Sequence, residues 1–134
     1  METIRFAELE LDEVEQDSPN SQWLAGFPFS PNRPGETTME STEYTVVYNE
    51  LDPGARIGQH RDAVDELLIV LAGTIEAVVG AETATVDAGT LTVVPADADH
   101  SVRNVGSETA RMVVLFGVAP IESTFDSEPT LTDD

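Results

Sequence analysis

The chain has 134 residues, no cysteine, and 26 acidic side chains against six basic ones, a formal net charge of −20. This composition excludes disulfides and thiolate metal ligands, and it offers no basic patch to nucleic acid or to an anionic membrane. No apolar run reaches the roughly 18 residues of a spanning helix.

All six basic residues are arginine, and lysine is absent. In dilute salt such a charge repels the folded chain from itself. In molar salt the Debye length falls to about 3 Å and screens that repulsion. Acidic surplus without lysine resembles the proteins of salt-accumulating halophiles. The start, Met1-Glu2-Thr3-Ile4-Arg5, shows no basic region followed by an apolar block. A cytoplasmic protein of one domain is therefore expected.

Residues 1–16 alternate weakly through Ile4, Phe6, Leu9, Leu11 and Val14, as a short strand or an edge crossing to a partner subunit. Residues 17–40 are rich in Pro, Gly, Ser and Asn and carry Trp23, Phe27 and Phe29. They read as a long loop, either pinned on the core by its aromatics or lying over a pocket as a lid. Glu43 to Leu51 reads as a strand with Tyr44, Val46 and Tyr48 on one face and Thr45, Val47 and Asn49 on the other. Ala55 to Gln59 is a short strand. Glu66 to Ala72 is apolar on both faces, as in a strand covered on two sides. Thr74 to Val79 pairs back on it, and Gly80-Ala81-Glu82 turns into Thr83 to Val86. Thr90 to Val94, His100 to Asn104 and Ala110 to Val118 close the set. Short strands at this spacing, without helical periodicity, argue for a barrel or sandwich. Residues 119–134 read as a frayed acidic tail.

Two stretches carry the chemistry. In the first, Pro53-Gly54 opens a turn, a polar patch holds His60, Asp62 and Glu66, and an apolar run ends at Gly73. His60 and Asp62 are two apart, so on a strand they share a face. An imidazole beside a carboxylate on a rigid strand is a common start for a metal site. In the second, Gly89 precedes an apolar strand, then come Pro95, Asp97, His100 and Asn104. The chain has two histidines, one in each stretch.

Together the stretches resemble the two signature motifs of the cupin superfamily. Gly54, His60, Glu66 and Gly73 match the first at every spacing, with Asp62 where a second histidine is usual. Gly89, Pro95, His100 and Asn104 match the second, with Asp97 in place of a glycine. The resemblance implies an all-β fold, the cupin double-stranded β-helix or jelly-roll-like barrel, as a single domain. Its barrel would span 41–118, between an N-terminal strand and aromatic-bearing loop over 1–40 and the tail.

The same resemblance implies that His60, Asp62, Glu66 and His100 coordinate a divalent metal. Two carboxylates would cancel a divalent charge, where the usual three histidines and one glutamate leave it positive. The harder set favours Fe, Mn or Zn over Cu. The implied function is a dioxygenase-like or isomerase-like enzyme acting on a small molecule, with Glu66 or Asp62 as a base. A non-catalytic cupin binding a small ligand, as a sensor or storage module, is the alternative. His60-x-Asp62 with His100 and Arg111 also resembles the iron/2-oxoglutarate oxygenases, but Glu66 at the cupin spacing argues against them. A homodimer formed through sheet edges is expected.

Around this site Gly54, Gly73 and Gly89 are expected at positive φ, and Asp97 where a glycine is usual. Asn104 should tie down backbone. Arg61 and Arg103 should face away from the ligands. Arg56 shares parity with His60 and either clamps an anionic substrate or pairs with an acid at the surface. Tyr44, Tyr48, Val102, Met112, Val114 and Phe116 are candidates to line a pocket for a small apolar or aromatic substrate.

Overall fold

Turn residues and two-residue alternation give the described residues strands as almost their whole regular structure. The computed structural model describes residues 1–29 and 43–131. A 3-10 turn at Phe6–Glu8 precedes β1 (Asp12–Glu15) and β2 (Gln22–Gly26). Then come β3 (Thr45–Leu51), β4 (Arg56–Asp62), β5 (Glu66–Ala72), β6 (Thr74–Val79), β7 (Glu82–Asp87) and β8 (Leu91–Val94). They are followed by β9 (His100–Asn104), β10 (Ala110–Phe116), β11 (Ser123–Phe125) and β12 (Thr130–Leu131).

The strands form two antiparallel sheets. One is seven-stranded, in the order β12-β1-β2-β3-β10-β5-β8; the other is five-stranded, in the order β11-β4-β9-β6-β7. Leu51, Leu68, Val70, Ile75, Val102, Met112 and Phe116 are buried between them. Such alternating inward apolar residues are what make two sheets close on each other. A second cluster lies outside the larger sheet, where Leu9 and the 3-10 turn cover Tyr48 and Val113. Phe6 stacks on Tyr48 there, with ring centroids 4.9 Å apart.

The motif residues take their expected structural places. Gly73 has φ +82°, and a Cβ on it would meet Ala110 Cα at 2.8 Å, so only glycine joins β5 to β6. Gly54 and Gly89 share the positive φ, as does Asp97 at 62°. Asn104 donates from Nδ2 to the Leu51 and Glu108 carbonyls and accepts from the Gly106 N–H, which fixes three pieces of backbone. Arg61 and Arg103 lie at the surface, 3.7 Å from Asp99 and 3.5 Å from Glu76 respectively.

Four expectations need correction. Residues 22–26, read as loop, are the strand β2, inserted between β1 and β3. Trp23 and Ala25 alternate inward there, and the ladder supplies what local propensity lacks. The lid-or-loop expectation over residues 30–40 lies outside the described residues. The frayed tail fails for residues 123–131. β11 pairs with β4, and β12 with β1. Buried Gln16 clasps this segment, donating to the Ser127 carbonyl at 2.8 Å and accepting from Gly58 N–H at 2.8 Å. Asp133 and Asp134 are outside the described residues. β6 does not pair back on β5; past the sharp turn at Gly73 it crosses to the smaller sheet, between β9 and β7. Finally, β5 is not covered on both sides. Leu67 and Leu71 on its outer face are 39% and 40% exposed.

Candidate metal centre

The site forms because β4 and β9 are neighbours in the smaller sheet. His60 and His100 are direct cross-strand partners, and their rings lie 4.1 Å apart. Asp62 follows two residues along β4, and Glu66 opens β5. One potential ligand atom from each of the four side chains falls within 4.8 Å of all the others, and all four residues are buried. Each imidazole is oriented by its own strand entry. His60 Nδ1 lies 2.8 Å from the Gly58 carbonyl, and His100 Nδ1 lies 2.9 Å from that of Ala98. This is how second partners fix the ring orientation of metal-ligating histidines.

The quartet suits a divalent cation on its own chemistry. Asp62 Oδ2 and His100 Nε2 are buried without a hydrogen-bond partner among the described residues, although they are 3.3 Å apart. Glu66 Oε1 stands 3.5 Å from the same nitrogen. Two imidazole nitrogens and two carboxylates are a mixed set that takes Fe, Mn or Zn. Orphaned buried polar atoms on that scale are rare unless something binds them.

The electrostatics of the metal-free site are lopsided. Burial alone pushes the His100 imidazole down, but the facing Asp62 and Glu66 carboxylates outweigh it and hold the group at about 10. Burial, then repulsion from His100, pushes His60 below its usual value. Burial would raise Asp62, but His100, the Ser123 hydroxyl and His60 keep it below the usual carboxylate range. His100, raised above its unfolded value of about 6.5, gives stability that is complete below that pH and lost as pH climbs through about 10. His60, lowered, contributes the opposite way: its share is present above about 6.5 and lost in acid. An imidazole NMR titration of metal-free protein should show the two histidines moving apart in these directions. Both titrating near 6.5 would mean that the quartet does not converge.

Two further residues shape the centre. Ser123 Oγ donates to Asp62 Oδ1, leaving Oδ2 as the free oxygen. Phe125 stacks on His60 with centroids 4.6 Å apart. Both lie on β11, in the segment expected to fray. Ile121, Ser123 and Phe125 alternate toward the same cavity, and that two-residue period is the signal the sequence holds for them.

The quartet faces a cavity of about 360 Å³ between the sheets. Met112, Phe116, Val102 and Val114 line it, as expected. Tyr44, Tyr48 and Arg56 do not. On β3 the inward residues are Val47 and Asn49, so Tyr48 falls on the outer face. There its hydroxyl donates to Glu50 and accepts from Arg111 Nε, both at 2.6 Å. Burial, followed by the Glu50 hydrogen bond, pushes its phenol up to about 12. Tyr44 is exposed and meets Phe29 edge-on. Arg56 misses for another reason. The ladder slips between Ile57 and His60, so these two, three apart, both point inward. A β-bulge of this kind reverses parity, and Arg56 turns away. Arg111, bonded to Tyr48 on the outer face, is equally outside the cavity, which leaves the 2-oxoglutarate expectation without its arginine.

This fold and this quartet define a cupin. Residues 47–116, just over half of the chain, match the family model described as a cupin domain, and the chain belongs to that family. Among solved structures, it is similar to a variant of oxalate decarboxylase from Bacillus subtilis, with a TM-score of 0.70 and 20% identity over 87% of this chain and 30% of that one. It is also similar to an oxalate oxidase, at TM-score 0.65 and 22% identity, over 82% of this chain and 57% of that one. A third is a Bacillus subtilis oxalate decarboxylase studied for its Mn(II) centres, at TM-score 0.68 and 19% identity, over 84% and 30%. The chain thus spans from under a third to just over half of the length of these structures, and at such identities the likeness is one of fold. A search of curated proteins by sequence finds no match. No helix among the described residues is long and apolar enough to cross a membrane.

Proposed function

We propose that this cupin holds one divalent ion, Fe, Mn or Zn, on His60, Asp62, Glu66 and His100, and acts on a small molecule by dioxygenase-like or isomerase-like chemistry. The convergence of four buried ligand atoms at the wall of an apolar-lined cavity carries this reading. An ion there would supply Lewis-acid polarisation or, if iron or manganese, a redox partner for dioxygen. The protein's own part is to exclude water with apolar walls and to hold a proton acceptor beside the ligand. Glu66 is the residue assigned that acceptor role, because it is buried in the same cavity.

Dioxygen uptake and product analysis on the Fe-, Mn- and Zn-loaded forms test the reaction class, using a panel of small neutral aromatics. Ligand-dependent dioxygen consumption, or isomerisation without it, supports an enzyme. Saturable binding without turnover in any metal form supports the storage or sensor alternative.

We further propose that two copies pair through the outer face of β5 and β8. Leu67, Leu71, Leu91 and Val93 are 39%, 40%, 53% and 55% exposed there, and the register places Leu67 opposite Val93. In a chain this acidic, a face free of carboxylates is where a second, equally charged copy can approach. Light scattering in high salt is expected to give a dimer, and the double variant Leu91→Glu/Val93→Glu a monomer. A wild-type monomer at about 100 μM, well above a micromolar Kd, would contradict this.

A further inference from the structure

We propose that the cavity takes an uncharged, largely apolar ligand whose hydrogen-bond donor is received by Asn49 Oδ1. Three buried side-chain polar atoms lack a partner among the described residues: Asp62 Oδ2, His100 Nε2 and Asn49 Oδ1. All three belong to residues lining the same cavity. A metal ion accounts for the first two. It does not account for the third, which sits on β3 in the larger sheet, with Met112 and Ala25 as its cross-strand neighbours. A buried acceptor without a donor is costly and points to something that binds it.

The rest of the lining sets the ligand's class. Trp23, Val47, Ile57, Leu68, Met112 and Phe116 give apolar walls drawn from both sheets. Outside the metal quartet the polar lining among the described residues is Asn49 and Ser123, and the Ser123 hydroxyl is already committed to Asp62. The chain has no lysine, and the arginines among the described residues, Arg5, Arg56, Arg61, Arg103 and Arg111, all lie outside the lining. Here the inference rests on the metal-centre reading: with two carboxylates among its ligands, a divalent ion keeps no net charge to attract an anion. Asp62 and Glu66 already offset the charge of the ion, so a small dicarboxylate would find no spare counter-charge among the described residues. A volume of about 360 Å³ is roughly the share of a dozen waters, which suits one substituted aromatic ring.

Trp23 is the chain's single tryptophan and lines the cavity, so its fluorescence reports occupancy. Benzyl alcohol, toluene and benzoate can be titrated into metal-free and Mn-loaded protein at fixed high salt. Benzyl alcohol is expected to saturate, binding about ten-fold more tightly than toluene and at least about ten-fold more tightly than benzoate. Asn49→Leu should erase the preference over toluene while toluene itself still binds. Asn49→Asp, an acceptor of the same shape, should keep it. Benzoate binding as tightly as the alcohol, an unchanged preference in Asn49→Leu, or no saturable response to the alcohol would each overturn the proposal. Metal content measured on the same samples separates the two ideas. Protein that takes up no metal when Mn is added, yet prefers the alcohol through Asn49, keeps this inference and loses the metal centre. Metal-loaded protein that prefers benzoate does the reverse.

Discussion

Replacing His100 with alanine is expected to empty the centre. Protein purified in high salt without chelator should carry at least half an equivalent of divalent metal per chain, on the order of one, and His100→Ala close to none. His100 is the hub of the quartet. Its Nε2 lies 3.3 Å from Asp62 and 3.5 Å from Glu66, and its ring packs against His60. Removing it leaves two buried carboxylates and one imidazole, with nothing from β9 to complete the set. The substitution also opens a hole in a packed interior, so folding needs its own check by near-ultraviolet circular dichroism. Arg103→Ala, on the same strand but facing solvent beside Glu76, is the control that should keep its metal. Equal metal in wild type and His100→Ala would place the ion elsewhere.

The second large effect is expected from salt. Moving the protein from about 3 M to about 0.1 M KCl should cost several kcal/mol of stability, a fall in Tm on the order of 15 °C. The cause is the imbalance of 26 acidic residues against six basic. Few countercharges are available. The ion pairs of Arg5 with Glu8, Arg61 with Asp99 and Arg103 with Glu76 span 3.5 to 3.8 Å at the surface. Pairs of that kind contribute about 0–1 kcal/mol each. Screening must therefore come from solution. Thermal unfolding followed across a KCl series checks this, with sucrose as an uncharged control. A Tm flat to within about 3 °C would show that the charge is not held together by salt.

Much of this is legible in the chain. Strand period puts His60 and Asp62 on one face, and the resemblance of the stretches from Gly54 to Gly73 and from Gly89 to Asn104 to the cupin motifs adds Glu66 and His100 to the set. Two misplacements have related origins. Alternation groups residues but does not say which group is inside, so Tyr48 reads as inward although its neighbours Val47 and Asn49 are the ones facing the cavity. Arg56 escapes the alternation rule because an irregular ladder step before His60 leaves no mark in the residue pattern. β2, β11 and β12 are hidden because short strands owe their existence to distant partners. Ser123 is a strand residue because Asp62 lies across from it, 61 positions away in sequence. β5 shows its apolar faces plainly, but nothing local says that one of them stays open.

The most direct test is to locate the ion. Crystals grown with Mn, measured on either side of the metal absorption edge, should give one strong anomalous peak per chain. That peak should be enclosed by His60, Asp62, Glu66 and His100, with density continuous to Asp62 Oδ2 and His100 Nε2. A peak at any other group of residues, or none in protein shown by elemental analysis to be Mn-loaded, would contradict the account.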